Sequence, residues 1–275
     1  MNKNHILVLG DVTFSDEENV MTAKNNIDIF EKYVASEADF HIEKIQKCEG
    51  DYSLFYSSRY NKWCKRSREI WHRLDQLGIK IPDEFLKIYP IPFEEFLESK
   101  IIMKYQVRGY NCLRELLRTV VLIPELLDPK KQYEILELSS GSCANYEVLT
   151  HYNNTVQVTD YLDGRGSAYI PIHKWLDIDA MSFNGGELPY KMDDKSYDYI
   201  VTYQAIDAYG PPRRWPRFVA EMARIARKKI VIILNPHAGG VKKREWFYNV
   251  LKETYPSVEI GECPDTGHAV YTITV

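Results

Sequence analysis

Residues 133–163 read YEILELSSGSCANYEVLTHYNNTVQVTDYLD, and the pattern of this stretch identifies the class of fold. It begins with a short apolar run, Ile135 to Leu138, which is typical of a buried β-strand. Small residues from Ser139 to Ala144 then form a turn, and a helix-compatible segment follows. A second strand, around Val156 to Thr159, ends at Asp160. This order predicts a strand, a tight turn, a helix and a second strand.

The predicted turn has a chemical consequence. It leaves backbone N–H groups and the positive end of a helix directed at open space, which suits the anionic or polar part of a nucleotide-like ligand. Asp160, at the tip of the second strand, is placed to accept hydrogen bonds from both ribose hydroxyls, as in dinucleotide-binding folds. The same residues also fit any strand–helix–strand unit whose turn is made of small residues.

Composition narrows the class of protein. A chain of 275 residues that is 45% hydrophobic fits one α/β domain with an additional N-terminal part. A net charge of -4 and a pI near 6.0 lack the electrostatic signature of a nucleic-acid binder. The five scattered cysteines form no C-x-x-C pair, which favours a reduced compartment and predicts no metal site. The apolar run at Ile6–Leu9 is too short for a signal peptide or membrane span, so we expect a cytoplasmic protein.

The first 110 residues are mainly helical in pattern. We predict a helix from about Tyr52 to Leu77, with Gly78 as its C-terminal stop, and renewed helical patterning from Phe93 to Leu122. Basic and aromatic residues mix in the first of these helices, and either an RNA-binding face or a solvated basic face explains them. We predict two domains. Residues 1–110 form a mainly helical lid or substrate region, and residues 111–275 form the α/β domain.

Further strands and helices are predicted after Asp160. A third strand runs through Tyr169 to Ala180 and ends in two acids, Asp177 and Asp179. The remaining elements are a strand at 196–202, a helix at 216–227, an apolar strand at 230–234, a helix at 246–255 and two closing strands near 258–260 and 269–275.

With its elements in this order, the region from about Lys131 to Val275 resembles the class I S-adenosylmethionine-dependent methyltransferases. Residues 137–143 look like their first motif, and 188–190 with 194–198 are similar to the segment leading into their fourth strand. Residues 218–225 resemble the helix before their fifth strand. The resemblance implies a Rossmann-like, mixed and mostly parallel seven-stranded sheet with helices on both faces.

The resemblance also implies S-adenosylmethionine as the cofactor, with S-adenosylhomocysteine as the product. Asp160 stands where the family has its ribose-binding acid, and Asp177 or Asp179 where it has the acid that binds the adenine amino group. The chain departs from the family at Ser139 and Cys143, where glycine is usual. The expected cofactor-binding residues are Arg108, Glu137, Ser139, Gly141, Cys143, Asp160, Asp177, Asp179, Tyr203 and Gln204.

Methyl transfer needs an acceptor held in line with the sulfonium and, for a hydroxyl acceptor, a base. Ligands of open α/β sheets lie beyond the carboxyl ends of the strands, which selects Asp207 after strand four and His237 after strand five. His237 is the first candidate for the base because imidazole titrates near neutrality, although a surface loop histidine explains it equally. Asp207 as a helix cap and His173 as a wall residue are the corresponding alternatives to their catalytic roles.

The acceptor is expected to be a small metabolite carrying a phosphate, carboxylate or sugar. Arg213 and Arg214 can grip an anion while Trp215 covers a ring, and Lys242, Lys243 and Arg244 form a second basic cluster. Solvated helix starts explain the same residues. No membrane and no nucleic acid are expected as partners, and the sequence does not indicate the oligomeric state.

Three other functions remain open. A non-catalytic subunit that binds S-adenosylmethionine, or pairs with a partner, on a methyltransferase fold would explain Ser139 and Cys143. An RNA methyltransferase would use the basic N-terminal helix. A nicotinamide-dependent oxidoreductase would also need a glycine turn and a second-strand acid, but the Gly-x-Gly-x-x-Gly spacing is absent.

Overall fold

The protein is described from a computed structural model, which covers residues 66–86, 108–235 and 240–275. It divides into two compact units at the boundary between Leu117 and Arg118. The expected lid role of residues 1–110 stays a prediction, because most of that region lies outside the described residues.

In the first unit, helix α1 covers residues 66–76, which are the described end of the helix predicted to stop at Gly78. Gly78 has a φ of +68°, and its N–H donates to the carbonyl of Asp75 at 2.9 Å. The N–H of Ile79 donates to the carbonyl of Leu74, also at 2.9 Å. These two bonds form a Schellman motif, in which glycine relieves the strain of a left-handed residue. The predicted helix stop is confirmed.

Helix α2, Arg108–Leu122, spans the boundary between the units. The elements that follow are β1 (Glu134–Leu138), α3 (Ala144–His151), β2 (Thr155–Asp160), α4 (Ile170–Trp175), β3 (Met181–Ser182), β4 (Tyr197–Tyr203), α5 (Ile206–Tyr209), α6 (Trp215–Ile225), β5 (Ala226–Ile233), α7 (Gly240–Thr254), β6 (Glu259–Glu262) and β7 (Ala269–Thr274). Short 3-10 turns lie at Asp83–Leu86, Pro124–Leu127, Arg165–Tyr169 and Pro212–Arg214.

The strands of the second unit form one sheet in the order β3-β2-β1-β4-β5-β7-β6. Strands β1 to β5 pair in parallel, whereas β7 is antiparallel to both β5 and β6. The predicted mixed, mostly parallel seven-stranded sheet is therefore confirmed. The strand order reverses between β1 and β4, and ligands of open α/β sheets bind in the crevice at such a reversal.

The central strands of the sheet are buried on both faces. Successive residues of a strand point to opposite faces, so their partners show what covers each face. Ile230 and Ile232 belong to a core with α6 and α7, while Val231 and Ile233 face a second core that includes Leu149 of α3. All four β5 side chains are fully buried, as their continuous apolar run predicts. Helices thus pack on both faces.

Helix α6 passes directly into β5, since Ile225 ends the helix and Ala226 begins the strand. Ala226 has extended φ and ψ and its N–H still donates to the carbonyl of Met222. A glycine turn has no place at this junction, which accounts for its absence from the sequence.

The third strand was predicted wrongly. Residues 165–175 form a 3-10 turn followed by α4, and β3 is only the two residues Met181 and Ser182. Pro171 occupies one of the first positions of α4, where its fixed φ suits a helix start. Asp177 and Asp179 consequently precede β3 instead of following it.

The strand registers bring several chain segments to one edge of the sheet. Leu138 pairs with Thr159 of β2 and with Thr202 of β4, and Tyr203 pairs with Ile233 of β5. The residues that follow β1, β2, β4 and β5 therefore emerge side by side, at what we call the carboxyl edge. Strand β7 begins at the same edge, because Val270 pairs with Ile233.

Candidate functional site

The turn between β1 and α3 has an unusual backbone. Ser139, Gly141 and Cys143 have φ values of 60°, 59° and 57°, so every second residue of the turn has a left-handed backbone conformation. Such values are uncommon for residues other than glycine and persist only where the surroundings enforce them. Here β2 supplies part of that support, because Thr159 accepts the N–H of Ser140 at its carbonyl and the N–H of Ser139 at Oγ1.

Asp160 ties the same turn to the tip of β2. The residue is 3% exposed, and its Oδ2 accepts the backbone N–H of Gly141 at 3.0 Å. A carboxylate that accepts a backbone N–H forms a charge-assisted bond, which is stronger than a neutral one. Gly141 and Asp160, both expected to bind the cofactor, are thus brought together. The N–H groups of Ser139, Ser140 and Gly141 are all bonded within the protein, so the prediction that the turn directs its N–H groups at open space is wrong for these three residues.

Tyr169, in the 3-10 turn before α4, covers this arrangement. A Cβ added to Gly141 would lie 3.3 Å from Cζ of Tyr169, so the phenol ring packs directly on the glycine. Burial, followed by the charge of Asp160, raises the pKa of Tyr169, so the phenol stays neutral. A ligand entering the turn on this side must displace the ring.

His173 lies in α4 beside the same acid. It is 4% exposed, and its Nε2 is 3.4 Å from Oδ2 of Asp160. Neither ring nitrogen makes a hydrogen bond in the described part of the protein. The sequence placed His173 in the wall of a third strand, whereas the structure places it next to the expected ribose acid.

Two further predicted residues, Glu137 and Cys143, are buried at this turn. Glu137 is the fourth residue of β1 and is 5% exposed. Burial raises the pKa of the Cys143 thiol well above its usual range, and the nearby carboxylates of Glu137 and Asp160 raise it further. Cys143 therefore remains a neutral thiol at neutral pH and is unsuited to act as a nucleophile.

The residues after β4 complete the carboxyl edge. Gln204 has a φ of 60°, and its Nε2 lies 2.9 Å from Nδ1 of His268, which precedes β7. This contact joins the residue after β4 to the residue before β7. Tyr203 is the last residue of β4 and Gln204 follows it, and their expected contacts with a cofactor stay a prediction.

Asp207 and Tyr209 belong to the short helix α5. Burial raises the pKa of Asp207, while a hydrogen bond with Asn235 acts in the opposite direction. Tyr209 shares a 2.9 Å hydrogen bond with Ser139 in which either hydroxyl can donate. The loop after β4 is thereby connected to the turn after β1.

Other predicted residues lie elsewhere or fall outside what the structure describes. Asp179 lies toward the amino end of β2, since its carbonyl is 3.4 Å from Nε2 of Gln157. Asp177 and Asp179 both lie before β3, and the adenine contact expected of one of them stays a prediction. Arg108 has no described side chain, and His237 lies outside the described residues.

The three residues predicted to bind the acceptor, Arg213, Arg214 and Trp215, have different surroundings in the structure. Trp215 is 1% exposed and donates from Nε1 to the carbonyl of Gly210, so it cannot cover a ligand ring. Arg214 donates to the carbonyl of Gly186 at 2.7 Å and stacks over Phe218. Arg213 is exposed. The prediction for Trp215 is wrong, because packing in the core takes its side chain.

Sequence reasoning missed Tyr169, Tyr209, Asn145 and His268. Asn145 is the second residue of α3, directly after the turn. It is 3% exposed, and neither atom of its side-chain amide has a hydrogen-bond partner in the described part of the protein. The position of Asn145 directly after a glycine turn could have marked it as a site residue in the sequence. The tyrosines carry no comparable signal in a chain with 20 of them.

Buried polar atoms usually find partners, so Asn145 and His173 call for a physical explanation. Asn145 directly follows the turn, and His173 lies beside Asp160. Carboxylate, imidazole and amide groups together suit a ligand with hydroxyl and amine groups. S-adenosylmethionine carries such groups, so the residue types present here fit it.

Among the described residues, no helix is long and apolar enough to cross a membrane. The same residues contain no cluster of three or more histidine, cysteine or acidic side chains that would hold a metal ion.

Comparison with known proteins gives distant likenesses in structure. No family model matches the chain, and no curated protein matches it. Magnesium protoporphyrin IX methyltransferase from Synechocystis is 12% identical, with a TM-score of 0.45, over 66% of this chain and 90% of that one. A 1,6-didemethyltoxoflavin-N1-methyltransferase from Burkholderia thailandensis is also 12% identical, with a TM-score of 0.43, over 68% and 94%.

A probable spermidine synthase from Corynebacterium glutamicum has a TM-score of 0.45 at 12% identity, over 58% of this chain and 63% of that one. At such scores and identities we attach no functional weight to these likenesses.

Proposed function

We propose that this protein is an S-adenosylmethionine-dependent methyltransferase that acts on a small polar or anionic metabolite. The observation that carries the proposal is the hydrogen bond from Gly141 to Asp160, at the crevice between β1 and β4. It joins a glycine turn at a helix start to an acid at the tip of the next strand. That combination serves adenosine-containing ligands in open α/β sheets.

Asp160, Glu137, Gly141 and Gln204 would hold the cofactor, with Asn145 and His173 as additional polar neighbours. When bound, S-adenosylmethionine supplies a methyl group that its sulfonium already activates. The chain then has to orient the acceptor and exclude water. The N–H groups of Ser139, Ser140 and Gly141 donate to Thr159 and Asp160, which holds the turn in place.

Asp207 is the described candidate for removing a proton from the acceptor. Its Oδ1 is buried without a hydrogen-bond partner among the described residues. Burial raises its pKa, and a carboxylate of higher pKa is a stronger base at neutral pH. It follows β4 closely, on the carboxyl edge. His237 remains a second candidate from the sequence.

The acceptor class is proposed from charge. Arg213 is exposed in the 3-10 turn before α6, and Lys242 and Lys243 are exposed in the first turn of α7. These segments follow β4 and β5, which supports a place for their cations on the carboxyl side of the sheet. Cations and a helix N-terminus attract phosphate or carboxylate groups.

A non-catalytic protein that senses or binds S-adenosylmethionine is the second candidate. The observation in its favour is the cover on the turn, because Tyr169 packs on Gly141 and Asp160 is almost completely buried. Such an arrangement disfavours the rapid exchange of cofactor and product that turnover needs.

Two experiments separate the candidates. Calorimetry with S-adenosylmethionine, S-adenosylhomocysteine and NAD tests the ligand, and we expect the first two to bind while NAD does not. Incubation of the protein and radiolabelled cofactor with a fractionated metabolite extract then tests transfer, with Asp207→Asn as the matched control. Label entering a small anionic compound supports the methyltransferase. Binding without transfer supports the sensor, and preference for NAD refutes both.

A further inference from the structure

His173 is a polar side chain buried without a hydrogen bond. Both ring nitrogens lack a partner in the described part of the protein, although the side chain is only 4% exposed. Burial of an imidazole without hydrogen bonds is unfavourable, so native proteins keep such groups where a ligand or a water completes them.

The surroundings of His173 identify what would complete it. Its Nε2 is 3.4 Å from Oδ2 of Asp160, and the same oxygen accepts the N–H of Gly141. The Oδ2 atom therefore already accepts one hydrogen bond, and the imidazole beside it contributes nitrogen atoms that can donate or accept. Together, the acid and the imidazole present a complete set of donors and acceptors within a short distance.

The chain between β2 and α4 fixes this arrangement. The N–H groups of Gly164 and Gly166 both donate to the carbonyl of Tyr161, at 2.9 and 2.8 Å. A Cβ on Gly166 would lie 2.6 Å from the backbone nitrogen of Tyr161, so only glycine permits the turn to close. This tight return brings α4, and with it His173, back to the tip of β2.

We infer that His173 is a ligand-binding residue that works with Asp160 to hold the two hydroxyl groups of a ribose. The inference rests on the proposed function, and it replaces the catalytic role that the sequence suggested for His173. One hydroxyl donates to the carboxylate of Asp160, which can only accept. The other bonds a ring nitrogen of His173, which discriminates a ribose from a deoxyribose.

The test compares the loss of the imidazole from the protein with the loss of a hydroxyl group from the ligand, each change alone and both together. Calorimetry measures the binding of S-adenosylhomocysteine, adenosine, 2′-deoxyadenosine and 3′-deoxyadenosine to wild type, His173→Leu and His173→Gln. We expect His173→Leu to weaken adenosine about five- to tenfold. It should leave one of the two deoxyadenosines unchanged, because that ligand already lacks the hydroxyl which His173 binds.

Two other variants complete the design. His173→Gln keeps a nitrogen at a similar reach and should restore part of the affinity for adenosine. His151→Leu is the control, since His151 is exposed at the last residue of α3. It should bind all four ligands as wild type does. Thermal melts show which variants are folded, and His173→Gln keeps the test valid if His173→Leu is not.

The outcomes are distinct. Equal losses with adenosine and both deoxyadenosines, or no loss with any ligand, overturn the role of His173 while the proposed function stands. The absence of binding of S-adenosylhomocysteine and adenosine to the wild type overturns both.

Discussion

The carboxylate of Asp160 accepts the backbone N–H of Gly141 at 3.0 Å, across the 19 positions that separate the two residues. The bond means that the acid at the tip of β2 has a structural role before any ligand arrives. A change at Asp160 will therefore act on the turn as well as on binding, and the two effects must be separated by experiment.

Asp160→Asn and Asp160→Ala make that separation. The asparagine keeps an oxygen for the N–H of Gly141 but loses the charge, whereas alanine loses both. We expect the alanine substitution to weaken the binding of S-adenosylhomocysteine by about 1.5–3 kcal/mol, or roughly ten- to a hundredfold in affinity. It should also melt at a lower temperature, because the turn loses its charge-assisted bond.

The asparagine variant should lose affinity while it keeps most of its thermal stability. Asp163→Ala is the control, as Asp163 is exposed and bonds Oγ of Ser182 at 2.9 Å. Calorimetry and thermal melts measure both quantities. Wild-type affinity in Asp160→Ala would refute a contact between this acid and the ligand.

Tyr169 gives a second prediction, because its ring packs on Gly141 where a ligand would approach. Tyr169→Ala removes the ring and should tighten the binding of S-adenosylhomocysteine. The gain in affinity follows the ratio of covered to open molecules, so it is about tenfold if that ratio is about ten to one. Tyr169→Phe keeps the ring and should bind as wild type does. Stopped-flow association rates check the interpretation, since removal of a cover speeds association. Weaker binding by Tyr169→Ala would instead make the tyrosine part of the binding wall.

Local chemistry made the first half of the site predictable. A run such as Ile135–Leu138 encodes a buried strand, and the small residues after it encode a turn. The acid at the end of the next strand then reaches the same edge, because parallel neighbouring strands share their direction. The apolar β5 was predictable for a related reason, since burial on both faces leaves no polar position.

The rest depended on contacts between distant residues. The segment from Tyr169 to Ala180 carries aromatic and β-branched residues, which favoured a strand, but Pro171 started a helix there. His268 lies 64 positions after Gln204, and no local pattern links them. Trp215 is drawn into the core beside Phe247, with ring centroids 5.3 Å apart, which its basic neighbours did not indicate.

The adjacent Arg213 and Arg214 give a third prediction, because the structure assigns them different surroundings. Arg214→Ala should lower the melting temperature, since it removes a hydrogen bond from a charged donor to Gly186, worth about 1.5–3 kcal/mol. Arg213→Ala should leave stability unchanged, because this side chain is exposed. If the acceptor is anionic, Arg213→Ala should also raise its KM without changing cofactor affinity. An unchanged KM would remove Arg213 from the acceptor site.

The last prediction concerns Asp198, at the start of β4, whose folded-state pKa is lowered. Burial opposes the shift, but the backbone N–H of Glu134 and the cations of Lys228 and Arg227 outweigh it. The distances to Asp198 are 3.1 Å for that N–H, 3.1 Å for Lys228 Nζ and 3.2 Å for Arg227 Nε. The acid therefore connects the starts of β1, β4 and β5.

Because the folded-state pKa lies below the unfolded one, Asp198 stabilises the fold above the unfolded-state pKa. That contribution is lost as the pH falls through the folded-state pKa. Asp198→Asn should accordingly lower the free energy of unfolding by about 1–2 kcal/mol at pH 7. The difference from wild type should shrink steadily below about pH 4, where the unfolded carboxyl binds its proton. Urea titrations at pH 7, 5, 4 and 3 measure it, with the exposed Asp193→Asn as control. A difference that stays constant over this range would show that Asp198 acts through its shape and hydrogen bonds, independently of its charge.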